Sequence, residues 1–245
     1  MPFRMNSPTG KAILAKARNG DFAHPGEEEA IRLVAGNSPK SDVRRTLDVG
    51  CGRGGTAAWF QSNGWGQVVG VDVDAESIEH AQIAHPDVEF VAMGVDTLAS
   101  WNVEPFDFAY LFNSFYAFPD QPGALRQIRS VCRAEAAICI FDYAQARDAV
   151  LPGMLGSEIG RPIVVEDMPA WLREAGWADV TTDDVTANYV SWYANLLAAF
   201  ERNRGWIVEN FGDDWRRYVV EWYGALLTAL ESRTVRGMIF RAIAA

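Results

Sequence analysis

The segment TLDVGCGRGGTAAWF, Thr46 to Phe60, sets a run of glycines between an apolar strand pattern and a helical pattern. Its spacing admits two chemistries. Gly50, Gly52 and Gly55 satisfy G-x-G-x-x-G, a loop that lets a dinucleotide pyrophosphate approach the free N–H groups of a helix N-terminus. Asp48, Gly50, Gly52 and Gly54 satisfy a second template, acidic-x-G-x-G-x-G, in which a carboxylate precedes the turn. Asp48 stands two residues before Gly50 and so on the same side of an extended strand. A carboxylate there repels a pyrophosphate but suits a ligand that carries an ammonium or sulfonium group. Asp72 closes QVVGVD, about 20 residues further on, where a carboxylate can accept hydrogen bonds from two ribose hydroxyls. Asp72 serves either chemistry and does not choose between them.

The elements that must position these residues alternate. Short uninterrupted apolar runs (TLDVG, QVVGVDV, VEFVAMG, PFDFAYLFN and AAICIFDYA) read as strands, separated by helical segments such as GGTAAWFQSNG, DAESIEHAQIAH and GALRQIRSVC. Apolar strands alternating with helices imply a parallel sheet covered on both faces. Ahead of it, helices are expected at Lys11–Arg18 and in GEEEAIRLVAGN, the latter with carboxylates in its first turn and an end near Gly36-Asn37. Beyond residue 145 come a short helix, PAWLREAGW, and a polar outer strand, ADVTTDDVT. Two helices follow, YVSWYANLLAAFERNRGWIVENFG and DDWRRYVVEWYGALLTALESR, broken at Phe211-Gly212, and VRGMIFRAIAA closes the chain as a strand. The expected organisation is one domain over 1–245. It comprises N-terminal helices at 1–40, a core at 41–188 plus 234–245, and a helical cap at 189–233.

Composition narrows the function classes. The chain has 245 residues, is 49% hydrophobic and 22% charged, and carries a formal charge of −10. That charge argues against generic nucleic-acid binding and against docking on anionic lipid. Three cysteines without C-x-x-C suit reduced thiols, and with no secretory apolar region at the N-terminus the expected location is cytoplasmic. Three histidines without ligand spacing offer no metal site.

Taken together, LDVGCGRGG, VVGVDVDAESI, FVAMGVDTL and FDFAYLFNSFYAFPD resemble, in order and spacing, the successive motifs of class I S-adenosylmethionine-dependent methyltransferases. The resemblance spans Arg45 to Tyr143. It implies an α/β, Rossmann-like seven-stranded sheet of order 3-2-1-4-5-7-6 with the last strand antiparallel, and S-adenosylmethionine as cofactor, leaving S-adenosylhomocysteine. Carried over by position, it implies that Gly50, Cys51 and Gly52 line the methionine part, with Asp48 ordering that loop or meeting the amino group. Asp72 would bind the ribose, Val73 pack on the adenine, and Val95 with Asp96 read the adenine amino group. Asn113, preceded by Phe112, would face the methionine moiety. The closing strand and the helices ahead of the glycine loop favour this over a dinucleotide oxidoreductase. A regulatory protein that binds the cofactor without catalysis is a further alternative.

The acceptor is less legible. A sulfonium methyl is already activated, so catalysis is mainly alignment of nucleophile, carbon and sulfur. No residue announces itself as a base. The stretch after the fourth strand places Phe115 and Tyr116 at the active end of the sheet, and Tyr143 ends the fifth strand beside Asp142. Tyr116 and Tyr143 are the candidate catalytic residues. Tyr189, Trp192 and Tyr193, at helical spacing, are either packing or a lid over the substrate. Arg147 and Arg161 stand where an anionic substrate would enter or are surface arginines; His24 is a loop histidine or a neighbour of the cofactor carboxylate. The helical insertion resembles, in arrangement only, that of small-molecule N- and C-methyltransferases, including glycine/sarcosine-type and prenyl-diphosphate-type enzymes. The expected partner is therefore a small-molecule acceptor, with protein or peptide methylation as the alternative, for a monomer or homodimer. NSFYAFPD lacks the N-P-P-Y pattern of nucleic-acid methylation.

Overall fold

The computed structural model describes residues 3–36, 41, 44–151 and 153–245. Two helices come first, α1 (Pro8–Arg18) and α2 (Glu27–Ala35). Helix α1 starts earlier than its apolar pattern suggests. The Ser7 Oγ accepts from Gly10 N at 3.2 Å and Pro8 fills the first turn, where its missing N–H costs nothing. Helix α2 ends at Ala35 with Gly36 as its cap, near the expected Gly36-Asn37; Asn37 and the boundary at residue 40 lie outside the described residues.

The alternating part is β1 (Arg45–Val49), α3 (Gly55–Ser62), β2 (Gln67–Asp72), α4 (Ala75–Ala84), β3 (Glu89–Ala92), β4 (Phe106–Phe112), α5 (Gln121–Ser130) and β5 (Cys132–Gln145). There follow α6 (Gly153–Glu158), β6 (Ile163–Val164), α7 (Met168–Glu174) and β7 (Trp177–Asp184). The last elements are α8 (Thr186–Arg202), α9 (Arg204–Phe211), α10 (Asp213–Glu231) and β8 (Arg236–Ala244). The sheet runs β3-β2-β1-β4-β5-β8-β7, with β8 antiparallel to both neighbours and the two-residue β6 parallel to the end of β5. Over the seven long strands this is the expected order. The strand β6 and the helix α6 were not expected; both are too short to carry a period.

Both faces of the sheet are buried, which is why its strands read as unbroken apolar runs. One face, with Leu47, Val49, Leu111 and Ile140, packs on α5 and α7. The other, with Phe108, Tyr110, Phe112 and Phe141, packs on α1 to α4 and the cap. On that second face Phe60 of α3 stacks on Tyr110, with ring centroids 4.3 Å apart. The cap contains three helices rather than two. The first expected helix is interrupted at Asn203, whose side-chain Nδ2 donates to the Ala199 carbonyl at 2.9 Å and competes there with the backbone ladder.

Candidate active site

Strand β1 delivers the chain to the open end of the sheet at Val49. Gly50 and Gly52 then adopt φ values of 80° and 53°, in the left-handed region that glycine enters without strain. The Gly50 and Cys51 N–H groups both donate to the Val71 carbonyl, at 2.8 and 3.1 Å, which binds the loop to β2. Ser114, just beyond β4, closes the other side, its Oγ donating to the Val49 carbonyl at 2.7 Å. A Cβ on Gly50 would fall 2.7 Å from that Oγ, whereas a Cβ on Gly52 would meet nothing within 4 Å. The loop is thus tight beneath and open in front.

Asp72 organises the same loop. One carboxylate oxygen accepts from Gly52 N at 2.8 Å and the other from Asp74 N at 2.9 Å. Each oxygen retains acceptor capacity for a further donor. Val73, next in sequence, is 80% exposed, an apolar surface left bare at the end of β2. Half-buried Val95 and exposed Asp96 open the turn that follows β3.

Asp48 is buried behind the loop. Desolvation pushes its carboxyl up to about 8, and the Asp72 charge adds to the rise, while the Tyr110 hydroxyl offsets part of it. Its Oδ2 has no hydrogen-bond partner among the described residues. Asn113 stands at the end of β4 with φ 47°, its N–H donating to the Phe141 carbonyl at 2.8 Å. Its Oδ1 accepts from the Tyr189 hydroxyl at 3.2 Å, and its buried Nδ2 is likewise unpartnered. Asp48 on β1 and Asn113 at the end of the neighbouring β4 thus each leave one buried polar atom open. The Cys51 thiol is raised by burial and by Asp48 and Asp72, so it is no nucleophile.

Tyr116, Tyr143, Tyr189 and Tyr193 come together in one aromatic group where α8 meets the sheet. Ring centroids lie 5.4 Å apart for Tyr116–Tyr143, 5.8 Å for Tyr143–Tyr189 and 6.0 Å for Tyr189–Tyr193, and the Tyr143 and Tyr193 hydroxyls are hydrogen-bonded to each other. Tyr223 of α10, not singled out from the sequence, stacks on Tyr193 at 5.6 Å. Trp192 also touches this group, 5.9 Å from the Tyr189 ring, while its Nε1 donates to Glu29 of α2 at 2.9 Å and its indole covers Gly26.

Phe115 does not join this group. The left-handed turn at Asn113 redirects the chain, and Phe115 is fully buried on the opposite face of the sheet, 5.7 Å from the Phe118 ring. The loop that carries it is pinned by Asp142, which accepts from Phe115 N at 2.7 Å and Tyr116 N at 3.2 Å. Burial raises the Asp142 carboxyl to about 7, the backbone donors opposing that rise. His24 is not a solvated loop histidine. It is buried against Phe112, with centroids 4.4 Å apart, and both ring nitrogens are engaged: Nδ1 with the Pro25 carbonyl at 3.1 Å and Nε2 with Thr56 Oγ1 at 2.9 Å. Burial depresses it to about 3, so it is neutral and carries no charge toward a carboxylate.

The N-terminal segment is fastened over the loop by charge. Asp21 meets Arg53 at 2.9 Å, His80 at 3.0 Å and His85 at 3.7 Å, and Lys11 meets Asp74 and Ser77. Burial would raise Asp21, but hydrogen bonds from His85 and His80 and the Arg53 charge bring it down to about 2. Among the described residues no group of His, Cys, Asp and Glu is arranged to hold a metal ion, and no helix is long and apolar enough to cross a membrane.

Residues 22–202 match the family described as methyltransferase domain. The chain belongs to that family. This methyltransferase-family chain is 26% identical over 196 residues to phosphoethanolamine N-methyltransferase of Triticum aestivum, a match covering 75% of the chain and 38% of that protein. It therefore spans less than half the length of that curated relative. Among solved structures it is similar to Haemonchus contortus phosphoethanolamine N-methyltransferase 2 in complex with phosphomonomethylethanolamine and S-adenosylhomocysteine. There the TM-score is 0.88 at 17% identity, covering 98% of this chain and 58% of that one. The cyclopropane synthase MmaA2 of Mycobacterium tuberculosis has a TM-score of 0.83 at 14% identity, covering 97% and 94%. At these identities the likeness is one of fold.

A further polar group of this methyltransferase-family chain is not evident from the sequence. Arg18 ends α1, and its side chain is 1% exposed. Its signal was present: Gly10, Leu14 and Arg18 recur every four residues along the buried stripe of α1. A terminal basic residue reads more simply as a partner of the helix dipole. The surface arginines that did draw attention are engaged elsewhere, Arg147 with Asp167 and Arg161 with the Pro119 carbonyl.

Proposed function

We propose that the chain is an S-adenosylmethionine-dependent methyltransferase acting on a small-molecule acceptor. The observation that carries this reading is the pair of unpartnered buried atoms, Asp48 Oδ2 and Asn113 Nδ2, at the glycine loop. They match the ammonium and carboxylate of the cofactor's methionine end, so the residues fit the group. Asp72, its oxygens already aligned by Gly52 N and Asp74 N, would take the ribose hydroxyls. Bare Val73 supports an adenine stacked at the end of β2, with Val95 and Asp96 at its edge. When bound, the cofactor supplies an electrophilic methyl on a sulfonium.

The chain's own residues would then align an acceptor and exclude water. Tyr143 and Tyr193 carry phenols that burial raises above their ordinary value, so they remain protonated at neutral pH. They serve as hydrogen-bond donors to an acceptor rather than as bases. A neutral amine needs no base to attack a sulfonium methyl, which favours nitrogen as the acceptor atom here. The relatives named phosphoethanolamine N-methyltransferase support the same direction. A protein or peptide acceptor needs an open groove, and the burial of Tyr189, Tyr193 and Tyr223 speaks against one. We read the chain as cytoplasmic.

Calorimetric titration tests the assignment. S-adenosylhomocysteine should bind at one site per chain and NADH should not. Binding of NADH without S-adenosylhomocysteine would overturn it.

A further inference from the structure

The Arg18 guanidinium is a cation placed where proteins rarely leave one. It sits under the cap helix α8, and its Nε and Nη1 atoms are buried with no hydrogen-bond partner among the described residues. Among the described residues its one ion-pair contact is long: Glu27 Oε1 stands 3.5 Å from Nε, and that carboxylate is itself 36% exposed. Burial of a charge is costly unless hydrogen bonds and a counter-charge compensate it. Glu27 supplies part of the counter-charge and none of the hydrogen bonds.

What surrounds Arg18 is a set of hydroxyls. Helix α1 packs against α8, and the Arg18 charge acts on Tyr193, Tyr189 and Tyr223. Tyr143 is tied to Tyr193 by their shared hydrogen bond, which uses one of the two hydroxyl protons and leaves the other to donate. A guanidinium with open N–H groups beside protonated phenols is complementary to an oxyanion. Asn113 links this cluster to the glycine loop through the Tyr189 hydroxyl, so the two sites adjoin.

We propose that Arg18, with the Tyr193 hydroxyl, binds an anionic group of the methyl acceptor, so that the substrate class is an acid-bearing small molecule whose carboxylate or phosphate docks under α8. This rests on the methyltransferase reading for the word acceptor, but the anion site itself is independent of it.

The test is calorimetric titration of the whole chain with inorganic phosphate and with acetate, at constant ionic strength, with and without saturating S-adenosylhomocysteine. At least one anion should bind the wild type, and the preferred one distinguishes phosphate from carboxylate recognition. Arg18→Met should weaken that binding by about tenfold or more, the scale of a lost charge-assisted hydrogen bond, while affinity for S-adenosylhomocysteine stays within about twofold. Tyr193→Phe, which keeps the ring, should weaken it several-fold and covers the case in which Arg18→Met does not fold. The proposal is overturned if neither anion binds the wild type, or if binding is unchanged in the variants. It is also overturned if Arg18→Met loses S-adenosylhomocysteine instead, since Arg18 would then serve the cofactor. Absence of S-adenosylhomocysteine binding in the wild type sinks the methyltransferase reading, and the cofactor-free titrations still decide the anion site.

Discussion

Asp48 is the residue on which pH should act most directly. Its carboxyl is raised to about 8, so at pH 7 the free protein holds a proton there that the unfolded chain does not. The stability this contributes is fully present below the ordinary carboxylate range and is lost as pH rises through about 8; Asp142, raised to about 7, acts in the same direction. The free protein should therefore unfold at lower temperature at pH 8 than at pH 5.5, as read by calorimetry. Ligand binding should show the opposite slope. An ammonium beside Asp48 favours the ionised form, so S-adenosylhomocysteine should release about one proton at pH 7 and bind more tightly as pH rises from 6 to 8. Titrations in buffers of different ionisation enthalpy measure that proton, and Asp48→Asn should abolish both the release and the slope. Asp72→Ala should weaken S-adenosylhomocysteine by about 1.5–3 kcal/mol, the scale for losing hydrogen bonds to a charged group. An unchanged affinity in the folded variant would remove Asp72 from the site. The positions of the glycines, Asp48 and Asp72 could be read from the chain because they are set locally, by a turn and by the end of a strand. The roles of Phe115, His24 and Arg18 could not. Phe115 depends on the left-handed turn at Asn113 and His24 on burial against Phe112, which pattern does not carry, whereas Arg18 lay on the buried stripe of α1 but reads more simply as a helix-dipole partner.

Among elements, α2 and α8 meet at a contact too close to alter. Gly26 has φ 79°, and a Cβ there would fall 2.5 Å from the Trp192 indole. Gly26→Ala should destabilise the chain by about 1–3 kcal/mol through backbone strain and overpacking. Denaturant unfolding gives the value; a cost near zero would mean that α2 does not rest on the cap. The same contact explains the legibility of the helices. Long amphipathic ones such as α10 announce themselves by period, because one face must meet a neighbour. The six-residue α6 and two-residue β6 have no period to read, and the break between α8 and α9 comes from one asparagine side chain.

For the whole molecule, the order of the long strands was readable from the succession of apolar runs and a closing strand. The proposed acceptor site was not, since its residues are drawn from α1, β5, α8 and α10, far apart along the chain. The cofactor site proposed above draws on β1, β2, β4 and the loops beyond them, so a ligand there should stabilise the sheet as a unit. At about 100 times its dissociation constant S-adenosylhomocysteine should add about 2.7 kcal/mol, which for a chain of this size is roughly a 5–10 °C rise in Tm. Differential scanning calorimetry checks this, and one cooperative transition is expected in the complex.

The cap leaves the sheet after β7 and returns at β8, and these two strands pair directly, with Asp184 opposite Met238 and Arg233 ion-paired to Asp184 at the stem. The whole helical excursion enters and exits through one gate. A turn of a few residues would close the same hairpin. The cap is thus a cassette: it can be exchanged between relatives, or redesigned, without rethreading the strands beneath it. Because Arg18 lies outside the cassette, an exchange would change the walls around the acceptor and leave its charged anchor in place.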